Sequence, residues 1–338
     1  MDVICAENAA ISHYFWLNFV NLVDIIFSLS SLIVEIALLV YVKRYKIYCH
    51  SNFRIIAASI CSFFAVHAFC ILLVQLFHQF QWRFGGPCGA VLLRYQCLMF
   101  RAPTLVAVIG FSFNHLLFFL DRALATLKPL VYEKQKTQYG IMGVIVTWWI
   151  AIGLSFYTFY DNEMLKPYPY CIVTAQASGP RLQMIYLCQI GFNLCVLLGD
   201  AALKKLGNRR AKIRDRNISP GRYALGEQIQ LRENQITTAW LFPFATLHTT
   251  VFLVFLILTT TYRTMHTDST MTPQHVAMLE ALHLLVCMYA FGANIVNFCV
   301  YIKLYNERQM KAEIQNVSSS SDIYFQMFVK QLEVPKIV

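Results

Sequence analysis

Charge is scarce in this sequence. Asp, Glu, Lys and Arg make up 14% of its 338 residues, where a soluble domain carries about 25%. That shortage excludes an ordinary water-facing surface, which needs polar groups to cover it. Metal-binding spacing is absent too. The nine His are scattered with no HxxxH or HExxH pattern, and the eleven Cys form no CxxC pair. Neither a zinc site nor any other cofactor is expected from such spacing. No paired carboxylates or nucleophile motif stand out, so nothing points to an enzyme. The cysteines are too dispersed for a small disulfide scaffold. The first 20 residues hold no Lys or Arg. They lack the basic start of a secretory signal, so the first apolar run is read as a retained helix.

What is present is apolar: 57% of residues are hydrophobic, with 26 Phe and 18 Tyr. A bilayer core of ~30 Å needs about 20 mostly apolar residues per helix. Seven runs reach that length, near 19–42, 54–77, 96–121, 140–160, 183–203, 239–262 and 276–302. The predicted fold is an all-α membrane protein, a bundle of seven transmembrane helices. The net charge of +10 sits between the runs, which argues against nucleic acid as a partner. With the N-terminus outside, 22 Lys and Arg fall on the cytoplasmic side and 5 outside, leaving Arg101 in the membrane. The positive-inside rule therefore predicts N-out, C-in. No internal repeat is visible, which weighs against many transporter folds. The expected organisation is an extracellular N-terminus (1–18), a seven-helix domain (19–304) and a cytoplasmic tail (305–338). Residues 303–315 read as a short amphipathic helix, and the tail from Ser318 as flexible. Asn217 and Asn316 head the two Asn-x-Ser sites, both in predicted cytoplasmic segments.

The segment Phe118–Glu133 (FFLDRALATLKPLVYE) carries the most information. Asp121 and Arg122 stand where the third helix meets the cytoplasm, and Pro129 follows. Cys97 lies 25 residues before Arg122, a rise of ~37 Å that crosses the bilayer. Asn297 and Tyr301 fall in the seventh helix with Phe298 after the Asn, and Pro243 falls in mid-membrane of the sixth. This set resembles the third helix and general architecture of rhodopsin-like receptors. It departs from them at Ala123, Leu241 and Phe298, in having no Asp in helix two and no Pro in helix five. The departures, with Arg101-Ala-Pro103, Asp121-Arg-Ala-Leu-Ala-Thr126, Tyr132-Glu133, Tyr223, Gln228-Ile-Gln-Leu-Arg-Glu-Asn234 and His248, resemble the nematode serpentine chemoreceptors of classes alpha, beta and alpha-beta. Asp121 stands where those receptors commonly have Glu.

The resemblance implies a chemoreceptor in the plasma membrane of a sensory neuron, with a small-molecule ligand and a heterotrimeric G protein as partners. Asp121, Arg122, Pro243, Asn297 and Tyr301 are its expected switch. The ligand pocket of such a bundle lies between the outer halves of helices three, five, six and seven. Arg101, Thr104, Gln189, His248, Glu280 and His283 are the candidates there. Arg101 needs a partner inside a membrane: either an anionic ligand group or Glu280. For an outer disulfide, Cys171 in the second outer loop faces Cys97 or, alternatively, Cys88. His67 and His115, on apolar faces, read as hydrogen-bonded core residues. An inverted seven-helix cation channel is the competing reading, opposed by the charge bias. An integral-membrane enzyme is the other, opposed by the missing catalytic motifs.

Overall fold

A computed structural model describes residues 2–45, 50–86, 88–128, 131–132, 137–173, 178–216, 225–266 and 271–332. Pro129, Glu133, Asn217 and Tyr223 lie outside the described residues. In chain order come α1 (Asp2–Ser12), α2 (Phe15–Arg44), α3 (Ser51–Phe84), β1 (Leu92–Leu93), α4 (Arg94–Leu127), α5 (Gln138–Phe159), β2 (Pro167–Tyr168), α6 (Gly179–Arg216), α7 (Leu225–Met265) and α8 (Pro273–Leu332). Seven helices, α2 to α8, are long and apolar enough to cross a membrane.

The first span shows why a bilayer is the solvent. In α2 the buried residues include Asn21, Asp24, Ser28, Ser31 and Glu35. These recur at steps of three and four, so they form one stripe down one helix face. The opposite face exposes Phe19, Leu22, Ile26, Leu29, Ile33 and Ile36. This is a soluble helix turned inside out: polar groups face the bundle and apolar groups face out. In water that exposed stripe would be a severe aggregation hazard. In lipid it costs nothing, and the polar stripe is free to pair with other helices. Asn294 of α8 donates to Ser31 Oγ at 3.1 Å, and Phe27 meets Phe291 edge-on at 5.5 Å.

The core runs along α3 and α4. Phe63, Phe64, Phe111, Phe118, Phe244 and Phe252 form its aromatic centre. Phe63 stacks on Trp148 at 3.9 Å and lies so close to Gly110 that a Cβ there would fall 2.4 Å from its ring. Glycine at 110 is thus what lets α3 and α4 approach, as small residues do in membrane bundles.

Two elements cap one end. β1 and β2 pair antiparallel, Leu92 with Tyr168 and Leu93 with Pro167. Beside them lies α1, a helix within the stretch expected to be the extracellular N-terminus. Asn8 donates to the Pro169 carbonyl at 2.5 Å, and Ile11 and Leu17 pack with Tyr170, Ile172 and Val276. The first span also starts at Phe15 rather than residue 19. At the other end α8 continues unbroken to Leu332. The short separate helix expected at 303–315 and the flexible tail expected from Ser318 are instead one rod with the seventh span. No Pro or Gly occurs between Asn294 and Leu332 to stop it.

Candidate functional site

At the C-terminal end of α4, Arg122 is only 4% exposed and is held from several sides. Its Nε and Nη2 donate to Asp121 Oδ2 at 3.2 and 2.5 Å. Nη2 also donates to the Tyr132 hydroxyl at 2.9 Å, which in turn donates to Asp121 Oδ1 at 3.1 Å. Nη1 donates to Thr237 Oγ1 of α7. The guanidinium lies 5.0 Å from the centre of the Phe53 ring. Arg122 therefore joins α3, α4 and α7 at one point. Such a charge-assisted cluster is stronger than a surface ion pair because its members are dry.

Toward the opposite end, Arg101 is 1% exposed. Its Nη2 donates to Glu280 Oε1 at 2.5 Å and its Nε to the Cys171 carbonyl at 3.1 Å. Gln75 bridges Glu280 at 3.0 Å and Asp24 at 3.3 Å. Tyr170 donates to Asn21 and Gln75, each at 3.4 Å. Burial, with the Glu280 carboxylate adding to it, pushes the Tyr170 phenol well above its ordinary range. Tyr170 thus stays a neutral donor at any physiological pH. The loop carrying it is pinned to α4: Cys171 is joined to Cys97 by a disulfide, and Arg94 donates to the Ile172 and Val173 carbonyls at 2.8 Å each. A pocket of ≈ 40 Å³ lies here, lined by Arg101, Ile172, Tyr186, Phe255, Glu280 and His283 among others. A pocket of this size admits water.

Deeper, His248 meets the Tyr289 hydroxyl at 2.8 Å and Asn193 Oδ1 at 3.2 Å. Asn193 and Gln189 both donate to Ser112 Oγ, at 2.9 and 3.4 Å. His115 pairs with Asp200 at 2.9 Å. These groups tie α4, α6, α7 and α8 together in mid-bundle. Below them, a larger cavity of ≈ 180 Å³ is lined by Leu38, Phe53, Cys61, Phe244, Asn297 and Tyr301 among others. Tyr301 donates to the Tyr45 carbonyl at 2.7 Å.

The family described as serpentine type 7TM GPCR receptor class ab chemoreceptor matches residues 2–333. The chain belongs to this family. Serpentine receptor class beta-17 of Caenorhabditis elegans is 23% identical over 175 residues, covering 51% of this chain and 46% of that receptor. Serpentine receptor class alpha/beta-14 of the same nematode is 24% identical over 203 residues, covering 59% of this chain and 51% of that receptor. The chain spans about half the length of each of these curated relatives. Family membership also disposes of the enzyme alternative, since this is a family of chemoreceptors.

In this receptor the six candidate pocket residues do not share one cavity. Arg101, Glu280 and His283 line the outer pocket. Gln189 and His248 belong to the mid-bundle network instead. Thr104 donates to the carbonyl of Arg101 in its own helix at 2.7 Å, a local bond that occupies its hydroxyl proton. Helical rise explains the split, because a residue one or two turns too deep leaves the outer half altogether. Cys88, the alternative partner of Cys171, is bonded to Cys5 of α1, a cysteine the sequence reading never weighed. Pro243 lies within α7, directly after Phe242, whose ring is met by Lys204 Nζ at 3.3 Å. Tyr132, Thr237, Gln75 and Tyr170 are contributors that sequence reasoning missed. Tyr132-Glu133 belonged to the resemblance, so a role for Tyr132 had a signal; Thr237 had none.

Proposed function

We propose that this receptor binds a small molecule in the outer half of the bundle and activates a heterotrimeric G protein at the opposite face. The reading places the N-terminus outside, the seven-helix domain over 19–304 and the tail after it in the cytoplasm of a sensory neuron. The observation that carries it is the Arg122 cluster. One arginine bonds the acid beside it and a hydroxyl on α7, so α4 and α7 are latched together at the inner end. A ligand that prefers α7 swung outward would break the Thr237 bond and free Arg122 for a partner protein. Pro243 removes one backbone hydrogen bond within α7 and lowers the cost of that swing. Ligand and G protein would then favour the same packing, and each would raise the other's affinity.

The outer end supports a ligand site of mixed character. Arg101, Glu280 and His283 supply charge and hydrogen bonds, while Ile172, Tyr186 and Phe255 supply apolar wall. The Ile172–Val173 loop and α7 both line the pocket, so movement of either would enlarge it for a ligand. Two disulfides at the end that carries α1 support an oxidising, outward-facing compartment there.

The test records second-messenger output in cells at matched surface expression. Arg122→Ala is expected to abolish any ligand response. Thr237→Val removes only the α7 side of the latch and is expected to raise ligand-free output several-fold, an amount consistent with losing a bond of about 1–2 kcal/mol. Silence from Thr237→Val together with a full response from Arg122→Ala would sink the latch mechanism.

A further inference from the structure

We propose that the receptor holds a thiophilic divalent metal ion, Zn²⁺, between α3 and α8, with His67, His283 and Cys287 as its ligands. The ligand atoms of these three side chains lie within 4.8 Å of one another. His283 and Cys287 are one turn apart on α8, with Nδ1 3.9 Å from Sγ. His67 comes from α3, its ring stacked against His283 at 5.2 Å between centres. In a tetrahedral site with Zn–N of about 2.0–2.1 Å and Zn–S of about 2.3 Å, neighbouring ligand atoms sit ~3.5 Å apart. Closing the cluster therefore takes about 1 Å of side-chain movement. Turning the two imidazoles out of their stack, so that each ring plane meets the ion, supplies it.

A second observation points the same way. His67 is fully buried, and neither of its ring nitrogens has a hydrogen-bond partner. A buried imidazole with both nitrogens idle is costly, and such a group calls for a missing partner. The only other fully buried His with two idle nitrogens among the described residues, His78, stacks against Tyr170 at 4.2 Å and belongs to no ligand cluster. His67 differs because a histidine and a cysteine stand at coordinating distance.

Charge fits an ion of two positive charges. Asp24 is fully buried and lies in hydrogen-bonding contact with Cys287. With the thiol proton released to water, the Cys287 thiolate and the Asp24 carboxylate together offset the ion, so the cluster is neutral in a medium that penalises net charge. Arg101, the nearby cation, is already neutralised by Glu280. His283 also lines the outer pocket. The pocket beside His283 would let water supply a fourth ligand. The sequence conceals this site, since His67 is far from the His283-x-x-x-Cys287 pair along the chain.

The experiment adds Co²⁺, a spectroscopic substitute for Zn²⁺, to purified full-length receptor in detergent after chelator treatment. Unfolding temperature is followed in parallel. Wild type is expected to take up one ion per chain, with the intense near-ultraviolet band of a thiolate–cobalt bond. His67→Ala and Cys287→Ala are expected to lose uptake, while Cys188→Ser, at an exposed cysteine, keeps it. Asp24→Asn is expected to weaken uptake roughly 10–100-fold, as loss of a neighbouring acidic group does at metal sites. Cys287→His guards against mere misfolding: it should retain uptake and lose the thiolate band. Folded wild type that takes up no Co²⁺ would overturn the site. So would uptake that His67→Ala leaves unchanged, or a thiolate band that survives Cys287→His.

Discussion

Arg101 and Glu280 illustrate how single residues hold this bundle. Each is almost completely buried, and each would cost several kcal/mol to bury alone. Together they cancel charge, and Gln75 and the Cys171 carbonyl each add a further hydrogen bond. The attraction between them serves mainly to make the burial tolerable. Glu280→Gln, or Arg101→Met, is therefore expected to destabilise the receptor by about 3–5 kcal/mol, because each strands the other charge. The pair Arg101→Met with Glu280→Leu is expected to recover most of that loss. Thermal unfolding in detergent measures all three. A double variant as unstable as the sum of the singles would show that the two residues act independently. Arg101 was legible in the sequence as a charge inside a membrane span, and Glu280 as its possible partner. Thr237 was not, because a threonine in a polar helix extension is unremarkable until its hydroxyl is found on Arg122.

Among the elements, α4 carries most of the connections. Its outer end is fixed to the second outer loop by Cys97 and its inner end to α7 by Arg122. Both ends were readable, since one helix of known rise sets Cys97 and Arg122 on opposite sides of the membrane. The seven spans were readable for a similar reason: an apolar run of sufficient length is a local property. What joins elements was less so. The Cys5–Cys88 bond depends on α1, an 11-residue helix too short to announce itself by length. The two disulfides are expected to differ in consequence. Cys97→Ser, Cys171→Ser and the double variant are expected to weaken ligand response alike, since all three remove the covalent tie between the Tyr170–Val173 loop and α4 and leave only the hydrogen bonds from Arg94 and Arg101. Cys5→Ser is expected to be milder, because Asn8 and Ile11 still hold α1 to the loop. A concentration–response series at equal surface expression separates these cases. Cys5→Ser as damaging as Cys97→Ser would mean that α1, rather than the loop beneath it, governs the pocket.

The whole molecule is polar along one axis. Both disulfides, the paired strands and α1 gather at the end where α4 starts and α8 begins. Basic residues gather at the other, 22 against 5 by the span assignment. Disulfides persist in oxidising compartments and basic loops are retained on the cytoplasmic side, so two unrelated forces favour one orientation. The charge bias can be read along the sequence because it acts on residue type, whereas the pairing of Cys5 with Cys88 needs the folded chain. An epitope at the N-terminus is therefore expected to be stained on intact cells, and one at the C-terminus only after permeabilisation. Asn217, in the third inner interval, is expected to carry no glycan. An Asn-x-Thr site inserted beside α1 is expected to be glycosylated and to slow migration until the glycan is removed. The reverse staining pattern, or a glycan on Asn217, would place the Arg122 latch outside the cell, where no G protein could meet it, and the inverted channel reading would then take precedence.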